Sequence, residues 1–401
     1  MKKYFLGNGL VVIEEKRKSD SVSVQLTVKA GSNFEKEGIR GVSHFIEHMV
    51  FEGTKNRKTA KEISNEIESL GGEINAYTNN IRTCFYIKVP KKHFEKALEI
   101  ISDIIKNPLF RERDIDKERG VILKEINIFN DESRFFQWIL FQKLLFGNSP
   151  YGYPAFGTYE DVKKISRQDI LSFFSKYYFA GNTIISVVGD FNNSEKIIKK
   201  YFSDFRKGKV KLKKLNDDIA NKKKYIKVKR KNTNSYMVLG YKTANRLHND
   251  SYVLDIIQAI LGKGQSGRIF DEVRNKSGLA YEVGVYHECD KNIGFFAVYL
   301  STDKKNIGLI KKLILKEFEK LKNISQEELK HAIGYVEGKY LLDNENTHNK
   351  ADELGYWELI KNTKLEKNYL KKIRKVSVEG VARVAKKYLT KNYSLAIIEQ
   401  K

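Results

Sequence analysis

Two stretches of this chain, DILSFFSKYYFAGNTIISVVGD (169–190) and EGVARVAKKYLTKNYSLAIIEQ (379–400), align without gaps at an offset of 210 residues. Lys176/Lys386, Tyr178/Tyr388 and Asn182/Asn392 coincide, and both stretches read as helix, turn and apolar strand. SQEELKHAIGYVEGKYLLDNEN likewise parallels the helical region after Asp114. A repeat of half the chain length limits the fold to two related domains with one order of elements. Length agrees, since 401 residues exceed one ordinary core. The expected domains are 1–210 and 211–401, joined by the basic stretch 205–224, which lacks hydrophobic periodicity.

Each half shows its elements through local signals. Asn8-Gly9 reads as a hairpin turn between short strands. SVSVQLTVKAG (21–31) alternates as a strand does. Thr59 and Glu62 form a capping box, Ile63, Ile67 and Leu70 line one helix face, and Gly71-Gly72 end it. Strands follow at 72–79 and 83–90, helices at 92–106, 112–129, 132–145 and 167–178, and a buried strand at 183–190. The second half repeats the plan. The order predicts an α+β fold of two homologous domains, each an antiparallel β-sheet with helices packed on one face.

Composition narrows the function classes. The net charge of +24 comes from 74 Lys+Arg against 50 Asp+Glu, spread as lysine-rich faces such as KKLILKEFEKLK. No aromatic-glycine RNP signature or zinc-knuckle spacing accompanies it, so no specific nucleic-acid partner is expected. Cys84 and Cys289 lie far apart, which argues against a disulfide framework and for a reducing compartment. The first residues imitate a signal peptide, but Gly7-Asn8-Gly9 breaks the apolar run. No stretch reaches transmembrane length, so the expectation is a cytoplasmic protein without a membrane partner. Gly262-Lys263-Gly264-Gln265-Ser266-Gly267 satisfies a dinucleotide-binding pattern but follows a helix rather than a strand, and reads as a turn between helices.

The chemistry concentrates in GVSHFIEHMVFEGT. On a helix His44 and His48 leave one face one turn apart, and Glu47 reaches the same face. Two imidazoles and a carboxylate in the order H-x-x-E-H are what a catalytic zinc helix requires: two ligands and one base. The bland alternative is a partly buried helix decorated by two His and a Glu. Shifted by 210, His44 and His48 fall on Leu254 and Gln258, so the second half lacks the motif. Catalytic zinc takes a third protein ligand and leaves one position open. Glu118 and Glu125, seven apart on DIDKERGVILKEINIFN, are both candidates, or a solvated pair. His93, His248, His287, His331 and His348 show no ligand spacing.

His44-x-x-Glu47-His48, 76 intervening residues and Glu125 together resemble the insulinase/pitrilysin family of zinc metallopeptidases. LGNGLVVI, GGEINAYTNNIRTCFYI and GRIFDEVRNKSGLAY are similar to further segments of that family, so the resemblance covers nearly the whole chain. It points to the short two-domain bacterial and mitochondrial-processing-peptidase-like subgroup and to its metallohydrolase fold. By that resemblance His44, His48 and Glu125 hold one zinc, Glu118 orients a ligand histidine, and Glu47 is the general base on a zinc-bound water. Asn75 and Ala76 pair their backbone with an extended substrate. Arg274 and Tyr281 contact the substrate carbonyl from the second half. The implied activity is a zinc endopeptidase cutting peptides or unfolded polypeptide segments inside an enclosed cavity. Long relatives use four domains in one chain, so a homodimer sharing its active sites between subunits is expected. The alternative is a non-catalytic or partner-dependent subunit of a processing-peptidase-like complex.

Overall fold

The computed structural model describes residues 1–212, 215 and 219–401. Part of the basic stretch expected as the join, residues 213, 214 and 216–218, lies outside the described residues. The chain divides into two compact units. The first comprises Met1–Asn127, Pro154–Lys213 and Asp343–Thr363; the second comprises Ile128–Tyr153, Lys214–Leu342 and Lys364–Lys401. Each unit therefore differs from a simple division at 210 by one segment drawn from the other half of the sequence.

The first unit is built on six strands: β1 (Lys2–Phe5), β2 (Val11–Lys16), β3 (Ser21–Val28), β4 (Glu73–Thr78), β5 (Thr83–Pro90) and β6 (Thr183–Gly189). Their order is β1-β2-β6-β3-β5-β4, which leaves β4 at an edge. β1 and β2 form the expected hairpin, with Gly9 at φ +93° where a side chain would be strained. Neighbours run antiparallel except β2 and β6, which pair in parallel with Val11 opposite Ile184. The sequence reading had the sheet wholly antiparallel. β6 reaches the sheet after a long helical excursion rather than a hairpin, so no turn imposes the antiparallel sense.

Alternation along β3 explains how both faces are covered. Val22, Val24, Leu26 and Val28 join the main core with helices Val42–Met49 and Phe94–Lys106. The intervening Ser23, Gln25 and Thr27 are also buried. Buried polar groups need partners; helix Thr347–Ile360 supplies them to Ser23 and Gln25, and Cys84 Sγ lies 3.4 Å from Thr27 Oγ1. Thr347 Oγ1 lies 2.9 Å from Ser23 Oγ, and Gln25 Nε2 donates to Asp352 Oδ1 at 2.6 Å. Gly355 permits the approach, since a Cβ there would sit 3.1 Å from Thr27 Oγ1. The expectation of helices on one face thus holds for most of them, and this helix from the far half of the sequence adds a second layer.

The second unit repeats the design with β7 (Lys224–Arg230), β8 (Ser235–Thr243), β9 (Ala280–Cys289), β10 (Gly294–Thr302) and β11 (Ser394–Gln400), in the order β7-β11-β8-β10-β9. β7 and β11 are its parallel pair, as β2 and β6 are in the first. Helix Asp250–Gly262 packs against β9, while Leu140 and Phe141 of helix Ser133–Phe146 join Val238, Phe295 and Ile398 in a separate core. Helices Arg167–Tyr177 and Val378–Tyr388 precede β6 and β11, matching the sequence repeat. The glycine run 262–267 joins a helix to the short helical turn Arg268–Phe270, and no strand precedes it. Cys84 and Cys289 are both buried, and neither is in a disulfide. No helix among the described residues is long and apolar enough to cross a membrane.

Candidate metal centre

The motif helix, Val42–Met49, is short and anchored by its apolar face. Val42, Phe45, Ile46 and Met49 are buried in the first unit's core, which turns the remaining face outward. Its N-cap is Gly41, with φ +97° and no side chain to satisfy the first amides. Glu35 takes over that task, accepting N–H bonds from Gly41 at 2.7 Å and Ser43 at 2.9 Å. A carboxylate there also meets the positive end of the helix dipole. Burial pushes the Glu35 carboxyl up to about 7 against these bonds. The sequence reading missed Glu35, which lies outside the window of an ordinary capping box.

The second supporting element is helix Glu112–Asp131. Seven residues advance it two turns, about 10 Å, so Glu118 and Glu125 share a face at different heights. Glu118 Oε2 lies 3.0 Å from His48 Nδ1. Glu125 Oε2 lies 3.7 Å from His44 Nε2 and 3.8 Å from His48 Nε2. Both distances are too long for hydrogen bonds. Two atoms bound to one zinc at about 2.1 Å stand roughly 3.4 Å apart in a tetrahedron, so the spacing suits ligands around a common ion. One atom each from His44, His48 and Glu125 lies within 4.8 Å of the others.

Protonation fits the same geometry. Glu118 beside Nδ1 favours a His48 tautomer with its proton on that nitrogen, which would leave Nε2 for a metal. The His48 hydrogen bond in turn holds the Glu118 carboxyl below its usual range, against burial. Burial pushes the His44 imidazole down to about 3, with the His48 charge adding to it, so His44 is neutral as a ligand must be. Burial lowers His48 too, but Glu118, Glu47 and Glu125 outweigh it and raise its pKa. Burial raises Glu125. It lifts Glu47 to about 7, with Thr78 and His48 pulling the other way. His44 Nδ1 and Glu47 Oε2 are buried and lack hydrogen-bond partners among the described residues. The Glu47 oxygen is thereby left to a group outside the chain, while His44 Nδ1 is not the nitrogen that faces Glu125.

The remaining sequence candidates fall on two elements. Asn75 and Ala76 lie on the edge strand β4, opposite Tyr86 and Phe85 of β5, and β4 packs beside the motif helix. Asn75 Oδ1 accepts the Ala76 N–H at 2.8 Å. Arg274 and Tyr281 belong to the second unit. Arg274 sits on the wide helical turn Asp271–Lys276 with its guanidinium 5.2 Å from the Phe270 ring centre. Tyr281 is 57% exposed and its hydroxyl reaches Asp303 at 3.3 Å. Of the other histidines, His287 is buried against Asp255 at 2.7 Å and His348 lies against the Tyr86 ring.

Known proteins are similar to this chain in sequence and in fold. Residues 10–154 match the family model described as insulinase, peptidase family M16, and residues 164–334 match the one described as the peptidase M16 inactive domain. The chain is 30% identical over 404 residues to the uncharacterized zinc protease YmxG of Bacillus subtilis, covering 99% of this chain and 98% of that protein. It is 32% identical over 365 residues to an uncharacterized zinc protease of Rickettsia felis, covering 87% and 85%. Its fold matches the crystal structure of a protease from Helicobacter pylori with a TM-score of 0.93, at 24% identity and 99% coverage of both chains. A structure described as a peptidase M16 inactive domain from Pseudomonas fluorescens matches with a TM-score of 0.89, at 20% identity over 100% of this chain and 98% of that one.

Proposed function

Because the chain belongs to the insulinase family of peptidases, family M16, we propose that it is a zinc-dependent endopeptidase acting on extended peptides or unfolded segments. The observation that carries this reading is the convergence of His44, His48 and Glu125 beside the buried, unpartnered carboxyl oxygen of Glu47. His44 and His48 would hold zinc through Nε2 and Glu125 through its carboxylate. When bound, zinc supplies a Lewis acid that makes a water more acidic and polarises a carbonyl oxygen.

The chain's own groups do the rest. Glu47 takes a proton from the attacking water as its oxygen bonds to the scissile carbonyl carbon. Glu47 then gives that proton to the amine as the C–N bond breaks. Glu118 keeps His48 in the required tautomer. Arg274 and Tyr281 are suited to donate hydrogen bonds to the carbonyl oxygen as it gains charge. The free edge of β4 can accept an added strand, with an incoming carbonyl replacing Asn75 at the Ala76 N–H. The half matched as an inactive domain carries Leu254 and Gln258 on helix Asp250–Gly262, where no metal pair is present.

Metal analysis and a peptide-cleavage assay on the purified chain test the reading. One zinc per chain is expected. Glu47→Gln should abolish cleavage, by at least about 100-fold for loss of a general base, with zinc still bound. His48→Ala and Glu125→Gln should lose the metal as well. Normal turnover in Glu47→Gln would refute the mechanism.

A further inference from the structure

The second unit holds a cavity of about 590 Å³ between helix Ser133–Phe146 and the outer strands β9 and β10. Its walls are aromatic. Trp138 stands edge-on to Tyr286 at 5.6 Å and lies 5.3 Å from Tyr299. Tyr299 crosses the strand at Gly284, where a Cβ would come within 2.5 Å of its ring. Tyr286 keeps 41% of its surface exposed, a large aromatic face without a cover.

The charge inside runs against the rest of the protein. Arg134 pairs with Glu282 at 2.8 Å, while Glu288 on the same wall is hydrogen-bonded to Tyr286 and has no ion-pair partner among the described residues. Among the described residues the lining carries two carboxyl groups against one guanidinium, in a chain of +24. Gln137, 2% exposed, also belongs to the wall; its Nε2 donates to the Arg134 carbonyl and its Oε1 has no partner. Electron-rich rings, a surplus carboxylate and a spare acceptor are the groups that bind an organic cation.

We infer that this cavity binds the guanidinium or ammonium end of a basic group, seated among Trp138, Tyr286 and Tyr299 and paired with Glu288. All of its described lining residues belong to the second unit, so binding there does not rest on the peptidase reading. The chain has 2 Trp, Trp138 and Trp357, so Trp357→Phe makes Trp138 the sole tryptophan reporter. The full chain carrying that change is titrated with Nα-acetylarginine amide and with its neutral isostere Nα-acetylcitrulline amide. A saturable change is expected with the arginine compound, at least about tenfold weaker with citrulline and about fivefold or more weaker after Glu288→Gln. An extended peptide with one arginine separates the sources. Tighter binding than the amide assigns the site to a polypeptide side chain, and equal binding assigns it to a free cation. Saturation-transfer NMR on the unaltered chain, with the same pair of amides, serves if Trp357→Phe does not fold. No saturable response, an equal response to citrulline, or a response untouched by Glu288→Gln would overturn the proposal.

Discussion

Glu118 and Glu125 carry the same functional group on one face of one helix, yet their neighbours give them different tasks. Glu118 touches His48 Nδ1, the nitrogen facing away from Glu125. Glu125 approaches the Nε2 atoms of both histidines. Spacing alone left both as possible third ligands. The choice depends on which nitrogen each carboxylate meets, and that is set by how two helices dock. Glu118→Ala should therefore keep zinc but weaken its binding by about 10–100-fold, as loss of a ligand-orienting carboxylate does. Competition with a chelator measures this. Zinc affinity equal to that of the unaltered chain would remove Glu118 from the site, whereas complete loss of metal would make it a ligand. His44 and His48 were readable as a pair because helical periodicity puts both on one face, whereas Glu125 was set apart from Glu118 only by family resemblance. Glu35 was not readable, because it caps the motif helix from across a turn. Arg274 and Tyr281 entered only through family resemblance, since nothing in their spacing marks them.

At the level of elements, helix Thr347–Ile360 shows what a sequence conceals. Buried apolar residues such as Ala351, Leu354, Trp357 and Ile360 mark it as a packed helix, but periodicity does not say which sheet it covers. Its Asp352 accepts bonds from Gln25 at 2.6 Å and Arg82 at 2.9 Å, and from the Tyr77 hydroxyl. The Arg82 side chain is only 7% exposed. Asp352→Ala should strand that guanidinium and cost about 3–5 kcal/mol, read as a lower urea midpoint; an unchanged midpoint would deny the helix this anchoring role. Asp250 does similar work at the start of helix Asp250–Gly262. Burial would raise its carboxyl, but hydrogen bonds from Arg383, Lys387 and Tyr388 hold it at about 2, below the ordinary 3.8. Because the folded value is the lower one, the stabilisation is present above about pH 4 and is lost as pH falls toward 2. The urea midpoints of the unaltered chain and Asp250→Asn should differ at pH 5–7 and converge between pH 4 and 2. A gap that persists at pH 2 would count against this linkage. The Thr59 cap and the alternation of β3 were readable beforehand because they are short-range. The parallel pairs β2–β6 and β7–β11 were not, because they are fixed only when distant segments meet.

On the scale of the whole molecule, the repeat has diverged in chemistry while keeping its sheet plan. The proposed metal ligands His44, His48 and Glu125 all lie in one unit, whereas Arg274 and Tyr281 lie in the other. If the proposed reaction needs both sets, each site requires one unit of each kind, and a two-fold dimer can provide them across subunits. We therefore extend the proposed function to a homodimer in which the metal unit of one protomer works with the Arg274/Tyr281 unit of its partner. Two inactive variants distinguish this from a site completed within one chain. Glu47→Gln and Arg274→Ala are each expected to be dead alone. When they are mixed under conditions that let subunits exchange, a mixed dimer with shared sites has one site carrying both lesions and one carrying neither. Activity should then return, to about a quarter of the unaltered level if equal amounts pair at random into dimers. If each site is built within one chain, every site keeps a lesion and the mixture stays inactive. A tag on one variant, followed through pull-down, establishes that exchange took place, so a dead mixture with proven exchange would exclude the shared arrangement.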